Sequence, residues 1–135
     1  MADFWGESLL AAYFIAVVRY VGVLHFTWLV NSAAHMFGGK PYDVNIGPSE
    51  NMGVSVLAMG EGFHNYHHVF PYDYSTSEWG FRINATTLFL DAMAAVGLVY
   101  DRRTAKGETV VARAARTGEV GKTRVGMGLE QKKML

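Results

Sequence analysis

Cysteine is absent from all 135 residues. Its absence removes disulfide frameworks, Cys-ligated zinc, iron–sulfur clusters and thiol catalysis together. A metal held by this chain must therefore use His, Asp or Glu. The zinc-peptidase pattern HExxH is also missing. Glu-x-x-His, which soluble di-iron carboxylate bundles use twice alongside two further Glu, occurs once, at Glu61 and His64. No other acidic residue has a histidine three positions on, which argues against a carboxylate-bridged iron pair. Positive charge is scarce up to residue 100, with three Lys/Arg against eight Asp/Glu, and abundant afterwards, with nine against four. The two parts carry −5 and +5. The basic end lacks interleaved aromatics and any nucleic-acid-binding signature, so no nucleic-acid partner is expected. Beside a membrane span, the same charges favour the cytosolic side.

Half of the residues are hydrophobic, which points to a membrane-associated chain rather than an ordinary small soluble domain. Leu9 to Val30 is an apolar run of 22 residues. At about 1.5 Å per residue, it matches the roughly 30 Å of a bilayer's hydrocarbon core. Asp3 and Glu7 precede it where a signal peptide would be positive. Arg19 costs about 2.5–3.5 kcal/mol at mid-bilayer and should face protein or water. Asn31 to His35 is expected to continue the same helix until Gly38, Gly39 and Pro41 stop it. Residues 40–51 read as a loop, and a second helical patch from Gly53 to about His68 runs into the turn Pro71-Tyr72-Asp73. Ile83 to Tyr100 reads as a buried or interfacial helix, and Asn84-Ala85-Thr86 matches the glycosylation acceptor pattern. The expected architecture is all-α: an integral membrane fragment with one transmembrane helix and cytosolic helices carrying a histidine cluster. Residues 1–100 form the main body, with the histidine-bearing part at 31–100. Residues 101–135 form a basic, flexible tail with a short helix around Val110 to Arg116.

His64, His67 and His68 stand in HNYHH at i, i+3 and i+4. On a helix this spacing projects the three imidazoles from one face. One histidine on such a face is usually a satisfied core residue; three make a metal-ligand set. Each neutral ring offers one lone pair while its other N–H is oriented by a neighbour. His35 lies one turn after Asn31, so those two share a face. His25 points elsewhere and reads as structural or tunnel-lining. A bis-His haem would leave the tight HxxHH triplet unexplained.

TWLVNSAAH (27–35), KPYDVNIGPSEN (40–51), GEGFHNYHHVFPYDYS (60–75) and the later INATTLFLD and YDRR resemble the C-terminal third of membrane-bound acyl-CoA Δ9 (stearoyl-CoA-type) fatty acid desaturases. The similarity runs from about Leu9 to Arg116. It implies that His35, His64, His67 and His68 are iron ligands, with Asn31 acting through water, and that no catalytic residue stands apart from these ligands. Thr27 and Trp28 fall where that family lines the bend of its acyl tunnel. The resemblance implies two irons per complete enzyme and a long-chain acyl-CoA substrate. It also implies O2, electrons from NADH through a reductase and cytochrome b5, contact with membrane lipid, and an endoplasmic-reticulum location with the histidines and tail on the cytosolic side. Only four of the family's nine or so histidine ligands are present. The expectation is therefore a fragment or truncated form, inactive alone, with a non-catalytic membrane module and a desaturase-like lipid hydroxylase or conjugase as rival readings.

Overall fold

A computed structural model describes residue 6 and residues 8–78 and 84–119. Six helices and no strands occur among them, in agreement with the all-α expectation.

The first, α1 (Leu9–Asn31), is a 23-residue helix opened by Ser8, whose hydroxyl accepts from the Ala11 N–H at 3.1 Å. None of its residues is buried against the rest of the chain. It is long and apolar enough to cross a bilayer. The helix does not run unbroken to His35. Ser32 donates its hydroxyl back to the Trp28 carbonyl at 2.8 Å and stays in the right-handed helical region with stretched dihedrals (φ −115°, ψ −74°). Back-bonding of this kind bends helices, and a separate turn, α2 (Ala33–Met36), carries His35.

The patch expected as one helix from Gly53 to His68 is also two. α3 (Met52–Leu57) is capped by Asn51, whose side chain accepts from the Val54 N–H at 3.0 Å. It stops where Met59 (φ 52°) and Gly60 (φ 106°) take the left-handed conformation that ends helices. After this turn comes α4 (His64–Val69). Farther on, α5 (Ala85–Ala95) is capped by Asn84, which accepts from the Thr87 N–H at 2.9 Å. Its 11 residues reach only about 16 Å, too short to span a membrane. Asn84 is almost wholly buried, and its amide donates to the Thr76 hydroxyl at 2.9 Å. That removes it as a glycan acceptor.

The helix expected around Val110 to Arg116 is α6 (Gly107–Thr117). The described part of the basic segment, 101–119, is not loose. Val110 and Ala114, four residues apart, insert into a cluster with Tyr42, Tyr66 and Phe70. The three aromatic rings meet at centroid distances of 4.9 to 6.0 Å, within the range of favourable edge-to-face and tilted packing. The Arg113 guanidinium pairs with the buried Asp43 carboxylate, and the Thr117 hydroxyl donates to the Tyr42 carbonyl at 2.8 Å. A strap before α6 is anchored by Asp73. This carboxylate accepts from the Tyr66 hydroxyl at 2.7 Å and from the Ala105 N–H at 2.8 Å. Residues 120–135 of the expected tail lie outside the described residues.

Candidate metal centre

The sequence His64-Asn65-Tyr66-His67-His68-Val69-Phe70 gives α4 two opposed faces. At 100° per residue, His64, His67 and His68 fall within one arc, and Tyr66 and Phe70 fall on the opposite side. The aromatic side is driven into the core with α6, so the histidine side is turned away from it. His35 meets that side from α2. Its Nε2 lies 2.9 Å from His64 Nε2, which in turn lies 3.2 Å from His68 Nε2. The ligating nitrogens of all three fall within 4.8 Å of one another. His64 is buried, while His35 and His68 are exposed, so the cluster is open on one side.

Two of these three separations suit a metal ion, and the third, between His35 and His68, would have to close from its span of up to 4.8 Å for one ion to bind all three. Nitrogens bound at about 2.0–2.1 Å and 90–110° apart lie roughly 2.8–3.4 Å from each other, and both close pairs fall in that interval. His67 stands beside the group and not in it. Its ring stacks on that of His64 at a centroid distance of 6.1 Å and an interplanar angle of 21°. Its Nδ1 is buried without a hydrogen-bond partner. Such an orphan costs about 1–3 kcal/mol unless a ligand satisfies it. The donor set thus fits a nitrogen-seeking metal: three converging imidazoles and a fourth with an unsatisfied nitrogen. Imidazole donors accommodate iron, zinc, copper and nickel alike, so the donors do not choose among them.

The electrostatics agree. Burial, with smaller contributions from His68, His35 and His67, pushes the His64 imidazole down to about 4. Burial and then His67 and His35 lower His68. His64 is therefore neutral at pH 7, and its lone pair is available without first displacing a proton.

The other residues singled out in the sequence fall as follows. Asn31 is exposed at the end of α1, with the Ser32 break between it and His35. Thr27 donates its hydroxyl to the Val23 carbonyl of its own helix at 3.0 Å, and Trp28 packs edge-on against His25 at 5.5 Å; both are exposed. Sequence reasoning missed Asn65. It is fully buried between two of the histidines, and its side chain makes four hydrogen bonds with residues 42, 43 and 48. Its position on the non-ligand side of HNYHH was the available signal. Glu50 and Asp73 were missed as well, and no local pattern marks either.

No protein-family model matches the chain. Curated proteins do. Acyl-CoA desaturase 3 of Mus musculus is 58% identical over 116 residues, covering 85% of this chain and 32% of that protein. Stearoyl-CoA desaturase of Homo sapiens is 58% identical over 117 residues, covering 86% of this chain and 33% of its own length. Acyl-CoA desaturase of Ovis aries is 59% identical over 116 residues, with 85% and 32% covered. The chain spans about a third of the length of these relatives.

Proposed function

Because this chain belongs to the acyl-CoA desaturase family over the segment it shares with those relatives, we propose that it supplies part of the histidine shell of a di-iron centre. That centre inserts a cis double bond into a long-chain fatty acyl-CoA. The observation that carries this reading is the meeting of His35, from one segment, with His64 and His68, from another, with two of the three nitrogen separations in the range of metal-bound imidazoles.

In this reading His35, His64, His67 and His68 hold the metal, with Asn31 acting through water. Bound iron supplies the oxygen activation needed to break an unactivated C–H bond. Two C–H bonds are lost, one C=C forms, and O2 is reduced to two waters with two further electrons delivered from NADH through a reductase and cytochrome b5 and two protons taken from solvent. The residues of the chain bind and orient. Neutral imidazoles resist oxidation, and a site open on one side leaves room for oxygen and substrate. Thr27 and Trp28 shape the bend of the acyl tunnel, so that geometry selects which methylene pair reaches the metal. α1 spans the endoplasmic-reticulum membrane with the histidines and the basic segment on the cytosolic side, as the charge asymmetry favours.

The experiment replaces the matching 117-residue segment of human stearoyl-CoA desaturase with that of this chain. Products are read by gas chromatography in a desaturase-deficient host. The chimera should form a cis-monounsaturated acyl chain, and His64→Ala within it should abolish the product together with metal content. A chimera that takes up metal but hydroxylates the chain would support the hydroxylase reading. One that folds, binds no metal and yields no product would refute the assignment. The 135 residues alone, with four candidate imidazoles, should bind metal weakly and form no product.

A further inference from the structure

The helix that carries three of the four candidate ligands lacks a cap of its own. Phe63 occupies the N-cap position of α4 and makes no capping bond. At Ncap, Ser, Thr, Asp or Asn ordinarily satisfies an otherwise orphaned N–H. Here the acceptor comes from elsewhere. The Glu50 carboxylate accepts from the Tyr66 N–H at 2.8 Å. A carboxylate at this end is favoured by the helix dipole as well.

Glu50 is also where the two histidine-bearing segments are joined. Its N–H donates to the Gly39 carbonyl at 2.7 Å, and its own carbonyl accepts from the Gly39 N–H at 3.2 Å. Gly39 follows His35 by four residues. On its other side Glu50 bridges to Phe63, the residue before His64. The neighbouring Asn51 N–H donates to the Gly62 carbonyl at 2.9 Å, and the Ser49 N–H to the Ala34 carbonyl at 2.7 Å. The chain from Ser49 to Asn51 is thus hydrogen-bonded to both segments within a few residues of His35 and of His64.

We propose that Glu50 is a positioning residue: from the loop between the two histidine segments it caps α4 and thereby fixes how far His64 and His68 stand from His35. This rests on the metal-centre reading above. Glu50 itself is not a ligand, because its carboxylate is committed to the backbone of α4. Glutamine retains the accepting oxygen, so Glu50→Gln should preserve the arrangement. Glu50→Ala removes the acceptor and leaves the Tyr66 N–H without its partner.

The test uses the full chain in detergent micelles, with Co(II) as the metal probe and its ligand-field absorption as the readout. Amide exchange is measured separately on the metal-free protein. Glu50→Ala should weaken Co(II) binding about ten- to a hundredfold, the range found for groups that orient ligands. It should also raise the exchange rate of the Tyr66 amide at least tenfold, while the melting temperature of the aromatic core moves by only a few degrees. Glu50→Gln should restore the Co(II) spectrum and the protection. Normal Co(II) affinity with a fully protected Tyr66 amide in Glu50→Ala would overturn the proposal, as would a Glu50→Gln protein that behaves like Glu50→Ala. If the amide responds as expected but wild type takes up no Co(II), capping stands and the metal reading fails.

Discussion

Replacing Asn65 by Ala tests how the site is held. The Asn65 side-chain oxygen accepts from the N–H groups of Tyr42 and Asp43 at 3.0 and 3.1 Å, and its amide donates to the carbonyls of Asp43 and Pro48 at 2.9 Å each. The residue is completely buried, so no water stands ready to replace these bonds. Truncation to alanine strands two donors and two acceptors. At about 1–3 kcal/mol for each unsatisfied group, the gross penalty is roughly 4–12 kcal/mol. The loop can relax and admit water, and single substitutions seldom exceed 4–5 kcal/mol, so the net expectation is about 3–5 kcal/mol. Asn65→Asp keeps the two accepted bonds but sets a buried carboxylate oxygen against the Asp43 and Pro48 carbonyls, and should cost at least as much. The assay is amide exchange on residues 40–51 and 64–70, which reads local opening free energy even though α1 dominates any global helical signal. At 1.4 kcal/mol per factor of ten, exchange in Asn65→Ala should accelerate about a hundred- to several-thousandfold. An acceleration below about fivefold would mean that the loop and α4 are held together by something other than this side chain, and the account of the site's rigidity would be wrong.

Other outcomes follow from the same geometry. His64 is depressed from 6.5 to about 4, so the folded metal-free protein binds fewer protons than the unfolded chain in that window. Its stability contribution is complete above about 6.5 and is lost as pH falls towards 4. Glu50 is raised, chiefly by burial, from 4.5 to about 7; its contribution is complete below about 4.5 and is lost as pH rises through 7. The two slopes oppose each other. Glu50→Gln should therefore steepen the acid-side loss of stability and His64→Gln the alkaline-side loss, as measured by urea titration at several pH values. Arg113→Ala leaves the buried Asp43 carboxylate without its cation; because Arg113 is partly exposed, the cost should be about 1–2 kcal/mol, read as faster amide exchange in α6. Gly38 has φ +136°, and a Cβ there would lie 2.2 Å from the Glu50 carbonyl oxygen. Gly38→Ala should cost about 2–4 kcal/mol and weaken metal binding by parting the His35 segment from Glu50, as measured by Co(II) titration.

The sequence by itself determined what short-range periodicity can specify. The 22-residue apolar run yields a helix because every residue in it is compatible with one and the length is set by neighbours along the chain. HNYHH places imidazoles on one face of α4 because the helical repeat alone dictates it. The caps Asn84, Asn51 and Ser8 act on N–H groups three residues on, yet it took the structure to identify them. Tertiary structure decided the rest. Whether His35 meets His64, 29 residues away, depends on the path of the loop between them. Of the three histidines in the motif, His64 and His68 join His35 while His67 stacks beside them, a distinction the helical repeat does not draw. The breaks at Ser32 and at Met59-Gly60 escaped the apolar pattern because they arise from single-residue backbone states. The basic segment was ambiguous because its overall composition resembles a solvated tail. Only Val110 and Ala114 give α6 a buried stripe, and two residues four apart acquire meaning when the aromatic cluster they fill has already been assembled.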